Sequence, residues 1–263
     1  MKKELPIGAK LAIPLLFLVI GFNIPMFLRF FTDTDNTSVL STTTKIVFLS
    51  FVMFFLIPKV IGIPSKKDKK ENLTLIGLGI KGVTWQSIVL GITLGLLSLL
   101  FMTIGSAITG GYQLDMSRLE FTHVYFSIVP GVFEEVVFRG YFMIAAIILF
   151  KNVKKAATFQ IVIFTLSHMK DFSGWGIVDM LTVAVISIAF TYVVLKTGHL
   201  YTAIIFHFIH DAFLFVSQKA EGYQTFYEHF IFYLFVWIGM LTIILVTKFI
   251  TEKYNISNKE IYV

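Results

Sequence analysis

The sequence predicts an all-α protein, a polytopic transmembrane bundle of about eight helices that forms a single integral membrane domain over residues 1–263. Three observations predict it. Hydrophobic residues make up 56% of the chain and charged residues 14%, whereas a soluble domain is about 25% charged; mean hydropathy is +0.82. Uncharged stretches such as Leu11 to Met26 and Ile231 to Thr247 approach the roughly 20 apolar residues that cross a bilayer core as helix. The lysines gather between alternate spans, as a positive-inside topology requires.

Taken in order, Lys2 and Lys3 precede an apolar run that continues past Gly21 to Phe31 without a small-residue cleavage site, so it reads as an uncleaved first span. The further spans are Lys45 to Ile63, Trp85 to Thr109, Phe121 to Phe150, Ala156 to His168, Gly174 to Lys196, Leu200 to Val216 and Phe226 to Phe249. The fourth carries Pro130 and Gly131, where it should bend or start late; the fifth is short for a full crossing. Between the second and third lies Pro64 to Asn72, strongly charged from Lys66 to Glu71, which reads as a solvated loop, with docking to anionic lipid as the sharper alternative. Lys2, Lys3 and Lys10, then Lys66, Lys67, Lys69 and Lys70, then Lys151, Lys154 and Lys155, then Lys196, then Lys248, Lys253 and Lys259 all fall on one side. Asp33 and Asp35, Asp115 with Glu120, Lys170 with Asp171, and Glu221 with Glu228 fall on the other. This alternation fails if one helix is added or dropped. It places both termini in the cytoplasm of a multi-pass protein of a cell membrane, with membrane lipid as its surroundings.

The net charge of +6 therefore belongs to topology-setting loops, and nucleic acid is not an expected partner. Cysteine is absent, which excludes disulfides, thiolate metal sites and a cysteine nucleophile. Arg29, Arg118 and Arg139 are the only arginines, and the bias toward Ile, Phe and Lys points to an AT-rich bacterial genome. There is no internal repeat; the N-x-S/T patterns at Asn36, Asn72 and Asn255 occur readily by chance.

Ionisable groups inside a bilayer span cost several kcal/mol and mark function by default. Three spans carry them. The fourth holds Glu134, Glu135 and Arg139, the fifth His168 four residues after Phe164, and the seventh His207, His210 and Asp211. Glu135 and Arg139 are an i, i+4 pair that can neutralise each other on one face. Glu134 lies about 100° around the helix from Glu135, so it is the carboxylate left for general acid or base chemistry. His207 and Asp211 share a face, as either a carboxylate-oriented imidazole or two ligands of one metal ion; His210, three residues from His207, can support the same face. Counted from the shared turn after Phe150, Glu134 lies about 24 Å and His168 about 20 Å into their helices, so the two can meet at one level. Phe133, Phe138, Phe142 and Phe164 read as packing residues, and His123, His199 and His229 as interfacial. Asp179, near the start of its span, is open to either reading.

The order Glu134-Glu135-x-x-x-Arg139, Phe164-x-x-x-His168, His207-x-x-x-Asp211 on three hydrophobic segments resembles the CPBP family, the CAAX prenyl proteases and bacteriocin-processing enzymes also called the Abi family. The resemblance covers about 131–215, with Leu78 to Leu96 similar to the family's lead-in. It implies an intramembrane endopeptidase acting on a membrane-associated protein or peptide: a CAAX-type substrate, or a leader, bacteriocin or signal peptide. Its catalytic groups would be Glu134, His168, His207 and Asp211, with Glu135, Arg139, Phe164 and His210 in support. Glu134 and His168 would activate water, while His207 with Asp211 would stabilise the oxyanion. The competing version holds a zinc ion on Glu134, His168 and His207. The family commonly has Asn where Asp211 stands; Asp211 can act if protonated, orient His207 or bind metal. Two other classes compete with the protease: a noncatalytic bacteriocin-immunity or membrane scaffold protein, and an ion-coupled transporter, which usually shows repeated halves not seen here.

Overall fold

The computed structural model describes residues 85–115, 117, 131–168, 174–219, 226–254 and 256, with scattered positions between 6 and 60. Most of the first span, Arg29, Arg118, the Pro64 to Asn72 loop, His123, Pro130, the three N-x-S/T patterns and the loop charges at Asp33, Asp35, Glu120, Lys170, Asp171, Glu221 and Lys259 lie outside the described residues. From Trp85 onward six helices follow: α1 (Trp85–Thr109), α2 (131–150), α3 (Val153–Ser167), α4 (Gly174–Thr197), α5 (Leu200–Val216) and α6 (Phe226–Tyr254). The expected total of about eight is not reached among the described residues, where the earlier chain contributes helical positions and a π-helical turn at Val52–Leu56. α1, α4 from Gly176 and α6 from Tyr227 are long and apolar enough to cross a membrane; Leu200–Phe213 of α5 is a shorter apolar helix. Leu96, Leu100, Leu241 and Leu245 are exposed. An outward apolar surface of this kind is what lipid contact requires and water would penalise.

Because lipid offers helices no hydrophobic incentive to associate, close packing of small residues must hold them. α1 does this on two faces. A Cβ at Gly91 would lie 2.8 Å from the Thr202 carbonyl oxygen, and one at Gly95 would lie 2.6 Å from Ile209 Cβ, both on α5. Toward α6 the fit is reciprocal: Gly105 receives Phe235 and Gly239 receives Phe101. Gly95→Val is expected to destabilise the fold by about 1–3 kcal/mol, as overpacking does; thermal unfolding in detergent measures it, and an unchanged midpoint would contradict the seam.

Two departures from the expected all-helical architecture shape the site. Tyr112–Leu114 and Ser217–Lys219, which follow α1 and α5, pair antiparallel with Gln113 opposite Gln218. Both helices end at one level, and the chain leaving them satisfies its backbone groups by this short pairing. In α2, described from Gly131 onward, an irregularity lies beyond that residue: after an α-helical start at 131–134, Glu135–Phe142 is π-helical, and Met143–Phe150 returns to α-helix. Gly131 instead permits close approach, since a Cβ there would meet Phe208 N of α5 at 3.1 Å.

Tight turns fix the remaining order. Lys151 adopts the left-handed conformation (φ 47°) and donates its N–H to Ile147 O at 2.8 Å; Asn152 then caps α3, its Oδ1 accepting the Lys155 N–H at 3.0 Å. That cap starts α3 three residues before the expected Ala156. Gly198 (φ 71°) closes α4 in the conformation glycine adopts without strain. His199, expected at an interface, is 3% exposed at the resulting turn, because the turn folds it back under Thr197.

Candidate active site

Helix α2 supplies the first half of the site. Glu134 is the last residue of its α-helical start, and Glu135 opens the π segment. The expected i, i+4 pair forms: Arg139 Nη1 donates to Glu135 Oε1 at 3.0 Å, both side chains fully buried. The guanidinium carbon lies 4.1 Å from the Phe164 ring centroid and 5.5 Å from that of Phe190. A cation with this much apolar surface around it is held by ring faces as well as by its carboxylate.

Helix α3 ends at the second half. His168 forms its C-cap, with Nδ1 2.9 Å from the Phe164 carbonyl oxygen. A carbonyl only accepts, so Nδ1 carries a proton and donates it there, leaving Nε2 to face outward. That atom faces Glu134 Oε2 at 3.6 Å. The expected meeting at one level therefore occurs. This pair is also the accessible part of the site: the His168 side chain is 32% exposed and that of Glu134 12%.

Helix α5 brings the third motif behind them. His207 Nδ1 lies 2.8 Å from Glu135 Oε1, the same oxygen that accepts from Arg139. An oxygen already committed as an acceptor fixes Nδ1 of His207 as the donor. On the other side of the ring, Nε2 lies 3.5 Å from Asp211 Oδ2, as the i, i+4 spacing predicted. With Nδ1–H given to Glu135, a neutral His207 needs the second proton on Asp211, whereas an imidazolium carries it on Nε2. In either case one proton occupies the line between Nε2 and Oδ2. Asp211 also lies within electrostatic reach of Glu134 and His168. Glu134, His168, His207 and Asp211 thus converge from three helices separated by up to 77 positions in the chain.

Glu135 is more than the local counter-ion the sequence suggested, because it bridges Arg139 and His207 across two helices. His210 turns elsewhere: its Nδ1 is 2.8 Å from Ser98 Oγ on α1, in a buried pair between α1 and α5. Phe164 packs edge-on against Phe138 (centroids 4.9 Å) and beside the His168 ring at 4.4 Å. Sequence reasoning located α4 but missed its part in the site. Ser187 Oγ accepts from Arg139 Nη2 at 2.9 Å, and the Phe190 ring stacks on His207 with centroids 4.5 Å apart and planes 27° apart. The available signal was a hydroxyl between Ile186 and Ile188 in an apolar span, a residue type that glues membrane helices. Asp179 serves the α4–α6 contact by accepting a hydrogen bond from Tyr233 OH.

The zinc alternative requires Glu134, His168 and His207 to point lone pairs at one place. Both ring nitrogens of His207 face carboxylates of its own cluster, and among the described residues no three His, Asp or Glu side chains form a group able to hold a metal ion. A zinc ion shared by the three would require His207 to give up one of these carboxylate contacts.

A family comparison covers the same part of the chain. Residues 118–213, just over a third of the chain, match the family described as type II CAAX prenyl endopeptidase Rce1-like. This segment is similar to the Rce1-like family. It contains each of the convergent residues, from Glu134 to Asp211, and stops two residues beyond the last. At family level the match is to an endopeptidase family, and three helices of the chain are long and apolar enough to cross a membrane. Neither curated proteins nor solved structures give a match. In the matched segment the Glu134–His168 pair, the more accessible part of the site, is backed by a more deeply buried tier of Glu135, Arg139 and His207.

Proposed function

We propose that the protein is an intramembrane endopeptidase in which Glu134 and His168 activate the attacking water and His207 with Asp211 stabilises the oxyanion. The observation that carries this reading is the 3.6 Å approach of Glu134 Oε2 and His168 Nε2 at the more accessible edge of the cluster. One water molecule can hydrogen-bond to both. Glu134 takes a proton from that water as its oxygen bonds to the scissile carbonyl carbon, and the carbonyl π electrons move to oxygen. The proton held between His207 Nε2 and Asp211 Oδ2 is the donor offered to that oxyanion. When the tetrahedral intermediate collapses, the C–N bond breaks and the amine leaves with the proton that Glu134 had taken. A protonated Asp211 here supplies what a neutral Asn would.

The substrate is a peptide bond of a membrane-associated protein or peptide, CAAX-type or a leader, bacteriocin or signal peptide, reached from the lipid or its surface. The alternating loop charge supports cytoplasmic termini, and the Ile, Phe and Lys bias supports a bacterial source. Purified protein in liposomes, offered a library of such peptides, tests the reaction. His207→Ala is expected to slow cleavage by about 10²-fold, the usual effect of losing an oxyanion donor. Chelators are expected to leave the wild-type rate unchanged; activity lost to a chelator and restored by stoichiometric zinc would replace this mechanism with the metal one. A protein that confers its cellular phenotype equally well as Glu134→Gln would be an immunity or scaffold protein instead.

A further inference from the structure

Resting on that reading, we propose that Ser187 of α4 is a positioning residue: it holds Arg139 so that Glu135 presents Oε1 to His207. The bonds form one line across three helices. Ser187 Oγ accepts from Arg139 Nη2 at 2.9 Å, Arg139 Nη1 donates to Glu135 Oε1 at 3.0 Å, and the same oxygen accepts from His207 Nδ1 at 2.8 Å. Ser187, Arg139 and Glu135 are each 0% exposed, so no water competes for these groups. Beyond these bonds, Nε of Arg139 has no hydrogen-bond partner among the described residues, the Phe164 and Phe190 rings lie against its guanidinium, and Glu134 acts on it through charge. Ring faces attract a guanidinium but do not dictate where its N–H groups point; the two hydrogen bonds do.

The placement of Ser187 on α4 makes the arrangement directional. Phe190, three residues on and so on the same face, stacks on His207 at 4.5 Å. One face of α4 thereby meets Arg139 of α2 through Ser187 and His207 of α5 through Phe190, and it sets the distance that Glu135 must bridge. Without the serine hydroxyl, Arg139 Nη2 must seek a new acceptor, and the oxygen it shares with His207 is drawn from its line. The consequence falls on the protonation and orientation of His207, which acts after the substrate has bound.

The test compares Ser187→Ala and Ser187→Thr with wild type in liposomes, using a peptide that wild type cleaves and Glu134→Gln does not. Ser187→Ala is expected to lower kcat by about tenfold, the scale of a lost supporting hydrogen bond, with KM unchanged within about twofold. The kcat–pH profile is expected to shift with it, and Ser187→Thr, which keeps the hydroxyl, to recover most of the rate. Equal kcat and profile in Ser187→Ala and wild type would overturn the proposal, as would a Thr variant as impaired as the Ala variant at an unchanged melting temperature. The ring signals of 15N-histidine, with His207 assigned by His207→Gln, separate this question from the protease reading. If wild type and Glu134→Gln prove equally inactive, that reading fails, while a displaced His207 Nδ1 signal in Ser187→Ala still supports the positioning role and an identical one overturns it.

Discussion

Glu134→Gln is expected to lower the rate of peptide cleavage by about 10³-fold, within the range contributed by a general acid–base group. The substitution keeps the side chain's size and replaces its proton-accepting oxygen with an amide. Glu134 is at the more accessible edge of the cluster, with its side chain 12% accessible, and its partner His168 keeps its own anchor on the Phe164 carbonyl. The variant, which keeps the side chain's size, should therefore fold as wild type does, at a cost of no more than about 1 kcal/mol. Rate and stability must separate for the assignment to stand. A Glu134→Gln protein that cleaves at a tenth of the wild-type rate or better would remove Glu134 from the role of base.

The opposite separation is expected one turn further along the helix. Arg139→Met should destabilise the fold by about 3–5 kcal/mol, the cost of stripping a buried carboxylate of its partner. Glu135 is 0% exposed, its Oε2 has no hydrogen-bond partner among the described residues, and the guanidinium supplies its one full positive charge within the helix. Glu135→Gln combined with Arg139→Met should recover much of that loss, because no uncompensated charge remains, yet stay inactive because His207 loses the carboxylate that fixes its Nδ1 proton. Unfolding in detergent by denaturant, followed for the single and double variants, reads both effects. Equal stability of Arg139→Met and wild type would mean that Glu135 carries no buried charge and that the Arg139 contact is incidental.

The parts of this site that follow helical periodicity were legible in the chain. Glu135 with Arg139 and His207 with Asp211 are neighbours because residues four apart share a face, and no tertiary information is needed to pair them. The meeting of Glu134 and His168 was legible too, since both helices leave one short turn at Lys151–Asn152 and a fixed rise sets equal depth. The membrane class follows from composition alone. The spans from Trp85 onward were located to within a few residues, except that α6 runs on to Tyr254 and α2 is described only from Gly131.

What only the tertiary structure decided is rotation. Whether His207 looks toward Glu135, and His210 toward Ser98, depends on how α5 is turned about its axis, and periodicity leaves that angle open. Contacts distant in sequence fix it: Gly91 and Gly95 of α1 admit Thr202 and Ile209, and Gly131 of α2 admits the backbone at Phe208. The role of α4 was hidden for the same reason, because Ser187 is an unremarked hydroxyl until Arg139 is placed beside it. The strand pair and the π segment had no local signal, as three-residue strands carry no period and a π stretch exchanges hydrogen bonds without changing residue types. The sequence by itself determined which charges enter the membrane and which of them pair along a helix. Helix-to-helix packing determined which of them face each other, because in lipid that choice belongs to close fit and buried hydrogen bonds rather than to hydrophobic pattern.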